Sequence, residues 1–135
     1  MAEKTFHIKV VAPDRTFYEG DATFIEFKTT EGEVGIYPKH VPTTSIVAPG
    51  VLRVHEVGGD LKKAALLSGF VEVLQDSVTI LAESVEWPDE IDAKRAEEAK
   101  IRAERRMKEE QDIIDYDRAE LALKRAIVRI GLARK

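Results

Sequence analysis

Three features of the sequence predict an α+β chain in two units, an antiparallel β-sandwich followed by an antiparallel two-helix hairpin. Short apolar runs alternate with turn residues through the first 86 positions. All five prolines and seven of the eight glycines precede residue 89, and a 23-residue repeat of helix-forming residues fills the end of the chain. The predicted units are therefore 1–86 and 87–135.

In the first unit the apolar runs are Phe6 to Val11, Thr23 to Phe27, Ser45 to Val47, Val51 to Val57, Ala64 to Leu67, Phe70 to Leu74 and Val78 to Leu81. Asp14, Gly20-Asp21, Glu31-Gly32, Pro38, Pro49-Gly50, Gly58-Gly59-Asp60, Ser68-Gly69 and Asp76-Ser77 supply the reversals between them. Short β-branched runs at this spacing predict two packed sheets, or a flattened barrel, rather than a parallel sheet with crossover helices. The segment from Glu31 to Pro42 packs two glycines, two prolines, two acids, a tyrosine and a histidine together. Too constrained for a flexible loop and too polar for a central strand, it reads as a rigid surface loop that presents Glu31, Glu33 and His40 for docking.

Charged residues rise from 21 of 88 before residue 89 to 25 of 47 after it. There the run from Ile91 to Arg106 returns as Ile114 to Arg129 with nine identities. Acids at the start of each copy suit a helix N-terminus, and the polar break Lys108 to Asp112 gives room for a reversal. At 100° per residue, Arg95, Arg102 and Arg106 share one face of the first helix, and Arg118, Arg125 and Arg129 share the matching face of the second. Beside each arginine strip runs a stripe of alanine: Ala96, Ala99 and Ala103 with Met107 in the first helix. In the second the stripe is expected to be enlarged by Tyr116, Leu123, Ile127 and Ile130. At about 0.8 kcal/mol per buried methylene, alanine contributes little to docking, so the first helix is expected to be held weakly. The charge pattern leaves two readings open. One is a solvated face with local pairs such as Glu98 with Arg102 and Arg106 with Glu110. The other is a crevice whose arginines collect an anion.

With 135 residues the chain can fold on its own core, and without cysteine it holds no disulfide, Cys-ligated metal or cysteine nucleophile. The net charge of −4 argues against nucleic acid. No apolar run approaches the roughly 20 residues of a membrane span, and the start lacks the pattern of a signal peptide, so a soluble chain is expected. His7, His40 and His55 lack metal-ligand spacing, with His7 and His55 expected on strand surfaces. Ser68 has no nucleophile elbow, the glycines form no phosphate loop, and Glu31 and Glu33 read as turn carboxylates. The residues thus predict no enzyme and no metal.

The run Gly32-Glu33-Val34-Gly35-Ile36-Tyr37-Pro38-Lys39-His40-Val41-Pro42, the strand Val78 to Glu83, the motif Ile91-Asp92-Ala93-Lys94-Arg95-Ala96 and the run Arg118 to Ala126 together carry a resemblance. In order and across the whole chain, they resemble the epsilon subunit of the bacterial F-type ATP synthase. The resemblance implies a non-catalytic subunit of the rotor's central stalk, at the cytoplasmic face of the cell membrane and touching the membrane only through the c-ring. Its sandwich would bind the gamma subunit and the c-ring. Its hairpin would switch between a form folded on the sandwich and an extended form that reaches the alpha and beta subunits and restrains ATP hydrolysis. ATP would be a regulatory ligand, with or without magnesium, and no catalytic cofactor is implied. The nucleotide motif stands here as Ile91, Asp92, Arg95 and Ala96, and the further ATP contacts fall by position on Glu86, Arg102, Arg125 and Arg129. The c-ring contacts fall on Glu31, Glu33 and His40. Two departures are Leu67-Ser68-Gly69, where relatives carry a serine-glycine-glycine turn, and the stiff Trp87-Pro88 linker. The competing class is a free-standing adaptor or chaperone that grips clients with its hairpin.

Overall fold

Seven strands precede two helices in the computed structural model, which describes residues 4–109 and 112–133. The chain separates into two compact units, Met1–Val85 and Glu86–Lys135. The first contains β1 (Phe6–Ala12), β2 (Arg15–Thr29), β3 (Gly32–Ile36), β4 (Thr43–Ile46), β5 (Gly50–Glu56), β6 (Leu61–Val73) and β7 (Ser77–Glu86). The strand order is β1-β7-β6-β5-β2-β3, with β4 on β6 and β1 also paired to β2, so the sheet closes on itself as a flattened barrel. The β1–β7 pairing is parallel. Alternation then decides the core: Ile8, Val10, Ile25, Phe27, Ile36, Leu52, Val54, Val71, Val73, Val78 and Ile80 all point inward and are buried.

Three sequence expectations fail in this unit for physical reasons. Gly20-Asp21 is no turn, because β2 runs unbroken for 15 residues and pairs Gly20 with Ile8 and Asp21 with His7. The glycine instead makes room for an aromatic ring. A Cβ there would stand 2.9 Å from the Tyr18 hydroxyl, which donates a hydrogen bond to Glu56. A register shift between Ala22 and Phe24 then lets β2 leave β1 and pair with β5. Ser68-Gly69 is likewise inside a strand, the 13-residue β6. Gly69 has φ 135°, and a Cβ would lie 2.2 Å from the Leu81 carbonyl oxygen and 2.9 Å from the Ala82 Cα, so only glycine lets the two strands pass this closely. Finally, the first part of the presumed docking loop is the edge strand β3, held to β2 by pairs such as Lys28 with Glu33. Its polarity fits an edge position, where charge discourages further pairing.

In the second unit a 3-10 turn, Pro88–Glu90, leads into α1 (Ala93–Glu109), and α2 spans Ile113–Leu132. Proline at the first position presets φ for the turn, and the Glu90 carboxylate accepts from the Trp87 amide at 2.9 Å. Asp92 caps α1, its Oδ1 accepting from the Arg95 amide at 3.1 Å. The repeat does not extend to the cap. Asp115, the counterpart of Asp92, lies inside α2 and pairs with Arg118 at 3.8 Å, while Asp112 accepts the Ile114 amide at 2.8 Å. Helix formation is cooperative, so the competent cap three residues upstream extends the helix through the repeat's own start.

Each helix buries two alanines seven residues apart, Ala96 and Ala103 in α1 and Ala119 and Ala126 in α2. The expected enlargement of the α2 stripe is only partial. Leu123 and Ile130 are half-buried, but Tyr116 is 38% and Ile127 51% exposed. On the helical wheel the latter two lie about 60° or more from the alanine line, outside the narrow seam that small residues make. None of the described helices is long and apolar enough to cross a membrane.

Candidate functional site

The helical unit contains a cleft of about 340 Å³, within the range of small-molecule sites, lined by Glu86, Glu90, Asp92, Arg95, Ala96, Ala99, Arg102 and Arg129. Its walls follow from the local structure just described. The end of β7 supplies Glu86, the 3-10 turn supplies Glu90, and the cap of α1 supplies Asp92. Arg95 and Arg102 stand seven residues apart, nearly two turns, and so project from the same face of α1. The alanines between them keep the floor low. Arg129 enters from the last turns of α2, and its Nε donates to the Glu86 Oε1 at 2.5 Å.

Charge in the cleft is divided. Glu86, Glu90 and Asp92 come from the segment that leads into α1, and Arg95 and Arg102 follow along that helix, while Arg129 reaches in from α2. Arg129 is neutralised by Glu86, with both side chains about 30% exposed. Among the described residues neither Arg95 nor Arg102 has a carboxylate within ion-pair distance, and both are exposed. The expected Glu98–Arg102 pair does not form, and Arg106 with Glu110 lies outside the described residues. Two guanidinium groups thus face the cleft without a counterion among the described residues, an arrangement suited to a phosphate or carboxylate ligand.

Of the residues proposed for nucleotide, Glu86, Asp92, Arg95, Ala96, Arg102 and Arg129 meet in this cleft. Ile91 and Arg125 do not line it. Ile91 is buried and closes the 3-10 turn, its amide donating to the Pro88 carbonyl at 3.3 Å, and Arg125 is half-buried on α2. Sequence reasoning passed over Glu90 and Ala99. The signal for Glu90 was its place three residues after Trp87, a helix-start spacing; that for Ala99 was the alanine stripe itself.

The proposed docking residues belong to the strand unit. Glu31 and Glu33 are exposed at the β2–β3 reversal, where the Glu31 amide donates to the Thr29 hydroxyl at 3.1 Å and that hydroxyl donates to the Gly32 carbonyl at 3.0 Å. His40 follows in the loop, and its Nδ1 donates to the Val41 carbonyl at 2.8 Å. Two contacts tie the loop to the sheet. Tyr37 stacks on Phe24 with 4.3 Å between centroids, and the Lys39 amide, in a positive-φ residue, donates to the Gln75 carbonyl at 3.1 Å. Among the described residues no hydrogen bond or ion pair joins His40 to either glutamate.

The other histidines lie on the strand surfaces expected of them. His7 bridges two carboxylates, Glu19 at 2.7 Å and Asp21 at 3.3 Å. Hydrogen bonds to Glu19 and then Asp21 hold its imidazole above the ordinary histidine pKa. His55 meets Glu26 at 3.0 Å. Burial, reinforced by Glu56, pushes the Tyr18 phenol up. Among the described residues no group of three or more His, Asp or Glu side chains is arranged to hold a metal ion.

Comparison with known proteins matches both units. Residues 5–88 fit the family profile of the ATP synthase delta/epsilon chain β-sandwich domain, and residues 89–134 that of its long α-helix domain. The ATP synthase epsilon chain of Caldanaerobacter subterraneus subsp. tengcongensis is 46% identical over 134 residues, covering 98% of this chain and 96% of the relative. That of Shouchella clausii is 47% identical over 130 residues, covering 96% of each. A chain of the Euglena gracilis mitochondrial ATP synthase, in an assembly with OSCP, F1 and c-ring, has the same fold, with a TM-score of 0.79 at 24% identity over 91% of this chain and 78% of that one. Relatives of this identity and coverage, together with two profiles spanning the strands and the helices in turn, show that the chain belongs to the ATP synthase delta/epsilon chain family, as an epsilon-type, non-catalytic subunit.

Proposed function

We propose that this chain works in the central stalk of a proton-translocating F-type ATP synthase and that its closed helical hairpin binds ATP without hydrolysing it. The observation that carries the nucleotide reading is the convergence of Arg95, Arg102 and Arg129 on one cleft, two of them without a counterion among the described residues. Phosphates would meet these arginines, while Asp92, Glu86 and Glu90 would accept hydrogen bonds from the base and ribose.

A ligand that binds only the closed hairpin stabilises it by about 2.7 kcal/mol at a hundredfold excess over Kd. That is large against an interface whose buried residues are alanines. When ATP is scarce the helices open, and their arginine faces meet acidic surfaces of the alpha and beta subunits and restrain hydrolysis. The strand unit serves as the rotor attachment. An apolar row crosses its outer face, with exposed Ile46 opposite exposed Phe70 and exposed Leu81 opposite Val11, and suits the gamma subunit. Glu31, Glu33 and His40 suit the c-ring, which would hold the chain at the cytoplasmic face of the membrane.

Thermal melting and calorimetry of the isolated chain with ATP test the sensor. The expected result is a melting temperature raised by several degrees and a loss of most of that rise in Arg95→Ala. No ATP effect, or an undiminished one in the variant, refutes the reading.

A further inference from the structure

The arginine strip does not stop where the cleft does. Opposing the buried alanines across an antiparallel seam sets Ala96 level with Ala126 and Ala103 level with Ala119. In that register Arg118 of α2 comes level with Glu104, between Arg102 and Arg106 of α1. Arg106 is one turn beyond Arg102, about 6 Å further toward the reversal, and on the same helical face. Neither Arg106 nor Arg118 lines the cleft, and both are exposed.

The cleft also has a direction. Its carboxylates precede α1 and hold Arg129 at that end through Glu86, while Arg95 and then Arg102 follow along α1. A nucleoside polyphosphate lying in it directs its amine and hydroxyl donors to the acidic end and its phosphate chain along the strip. Arg102 then receives the outer phosphate of a three-phosphate chain, and Arg118 and Arg106 wait beyond it. Among the described residues Arg118 is held by Asp115 alone, at 3.8 Å, with 73% of its side chain exposed, so it can turn to a stronger anion.

We propose that the cleft selects nucleotides by phosphate-chain length, with Arg106 and Arg118 forming an outer subsite for phosphates beyond the third. The inference rests on the nucleotide reading and adds a ligand class to it, the nucleoside polyphosphates with four or more phosphates. Each added phosphate brings charge-assisted, potentially bidentate contacts that ATP does not reach.

Calorimetric titration of the full chain with adenosine 5′-tetraphosphate and with ATP, at fixed ionic strength and without divalent cations, is the test. The tetraphosphate is expected to bind about tenfold tighter, a difference of about 1.4 kcal/mol. The double variant Arg106→Ala/Arg118→Ala should bring that ratio close to one while ATP affinity stays within about twofold. Arg105→Ala, which removes a charge one residue off the strip, should leave the ratio intact. A ratio near one in the unaltered chain overturns the subsite, as does a ratio that survives the double variant or falls equally in Arg105→Ala. ATP binding without tetraphosphate preference removes the subsite alone, whereas binding of neither ligand removes the nucleotide reading with it.

Discussion

Gly69 illustrates how a single residue sets the geometry of the strand unit. Its φ of 135° and the Leu81 oxygen 2.2 Å from any Cβ make two independent objections to a side chain. Gly69→Ala is expected to cost about 3 kcal/mol, adding backbone strain to overpacking, as measured by denaturant unfolding. At His7 the effect depends on pH. Glu19 and Asp21 raise the folded-state pKa above the unfolded value of 6.5, so the stabilisation is complete below that value and is lost as pH rises through the folded pKa. Compared with His7→Gln, the unaltered chain should therefore show a larger stability advantage at pH 6 than at pH 8.5. The advantage should be small and should shrink with salt, because the imidazole is 46% exposed. An advantage that grows with pH would contradict the bridged geometry.

Between elements, the two helices show why repetition in sequence is not repetition in structure. Asp112 and Asp115 both lie at the start of α2, yet only Asp112 caps it. Asp112→Ala should lower stability by about 1 kcal/mol in thermal unfolding followed by helicity, whereas Asp115→Ala should change it by less than half as much. The strip of arginines was legible in the sequence because helical spacing is local and periodic. The same holds for the alanine seams and for the short apolar runs that became strands. What escaped was set by distant partners. The length of β2 depends on its pairing first with β1 and then with β5 and β3, and the Tyr18 ring that crosses Gly20 is aimed by its hydrogen bond to the distant Glu56. Ile127 looked like core because it is large and apolar. Yet the seam between the helices is lined by alanines, and a side chain beside a narrow seam stays outside it. Glu90 entered the cleft through a 3-10 turn too short to leave a periodic signature.

For the whole molecule, the division between strands and helices makes function separable. A chain ending at Pro88 retains every strand, so it should still attach to the rotor. In reconstituted ATP synthase, that truncation should raise ATP hydrolysis severalfold over the complex carrying the full chain, and unchanged hydrolysis would remove the inhibitory role. The parallel hydrogen bonding of β1 to β7 has a further consequence. On the ribosome the earliest strand has to wait for the latest, since no local neighbour can complete that side of the barrel. Until residue 86 has been translated and has left the exit tunnel, one flank of β1 stays unsatisfied and prone to pairing with other nascent chains. Slow elongation before β7 should therefore favour aggregation, and the same pause placed within α2 should have little effect.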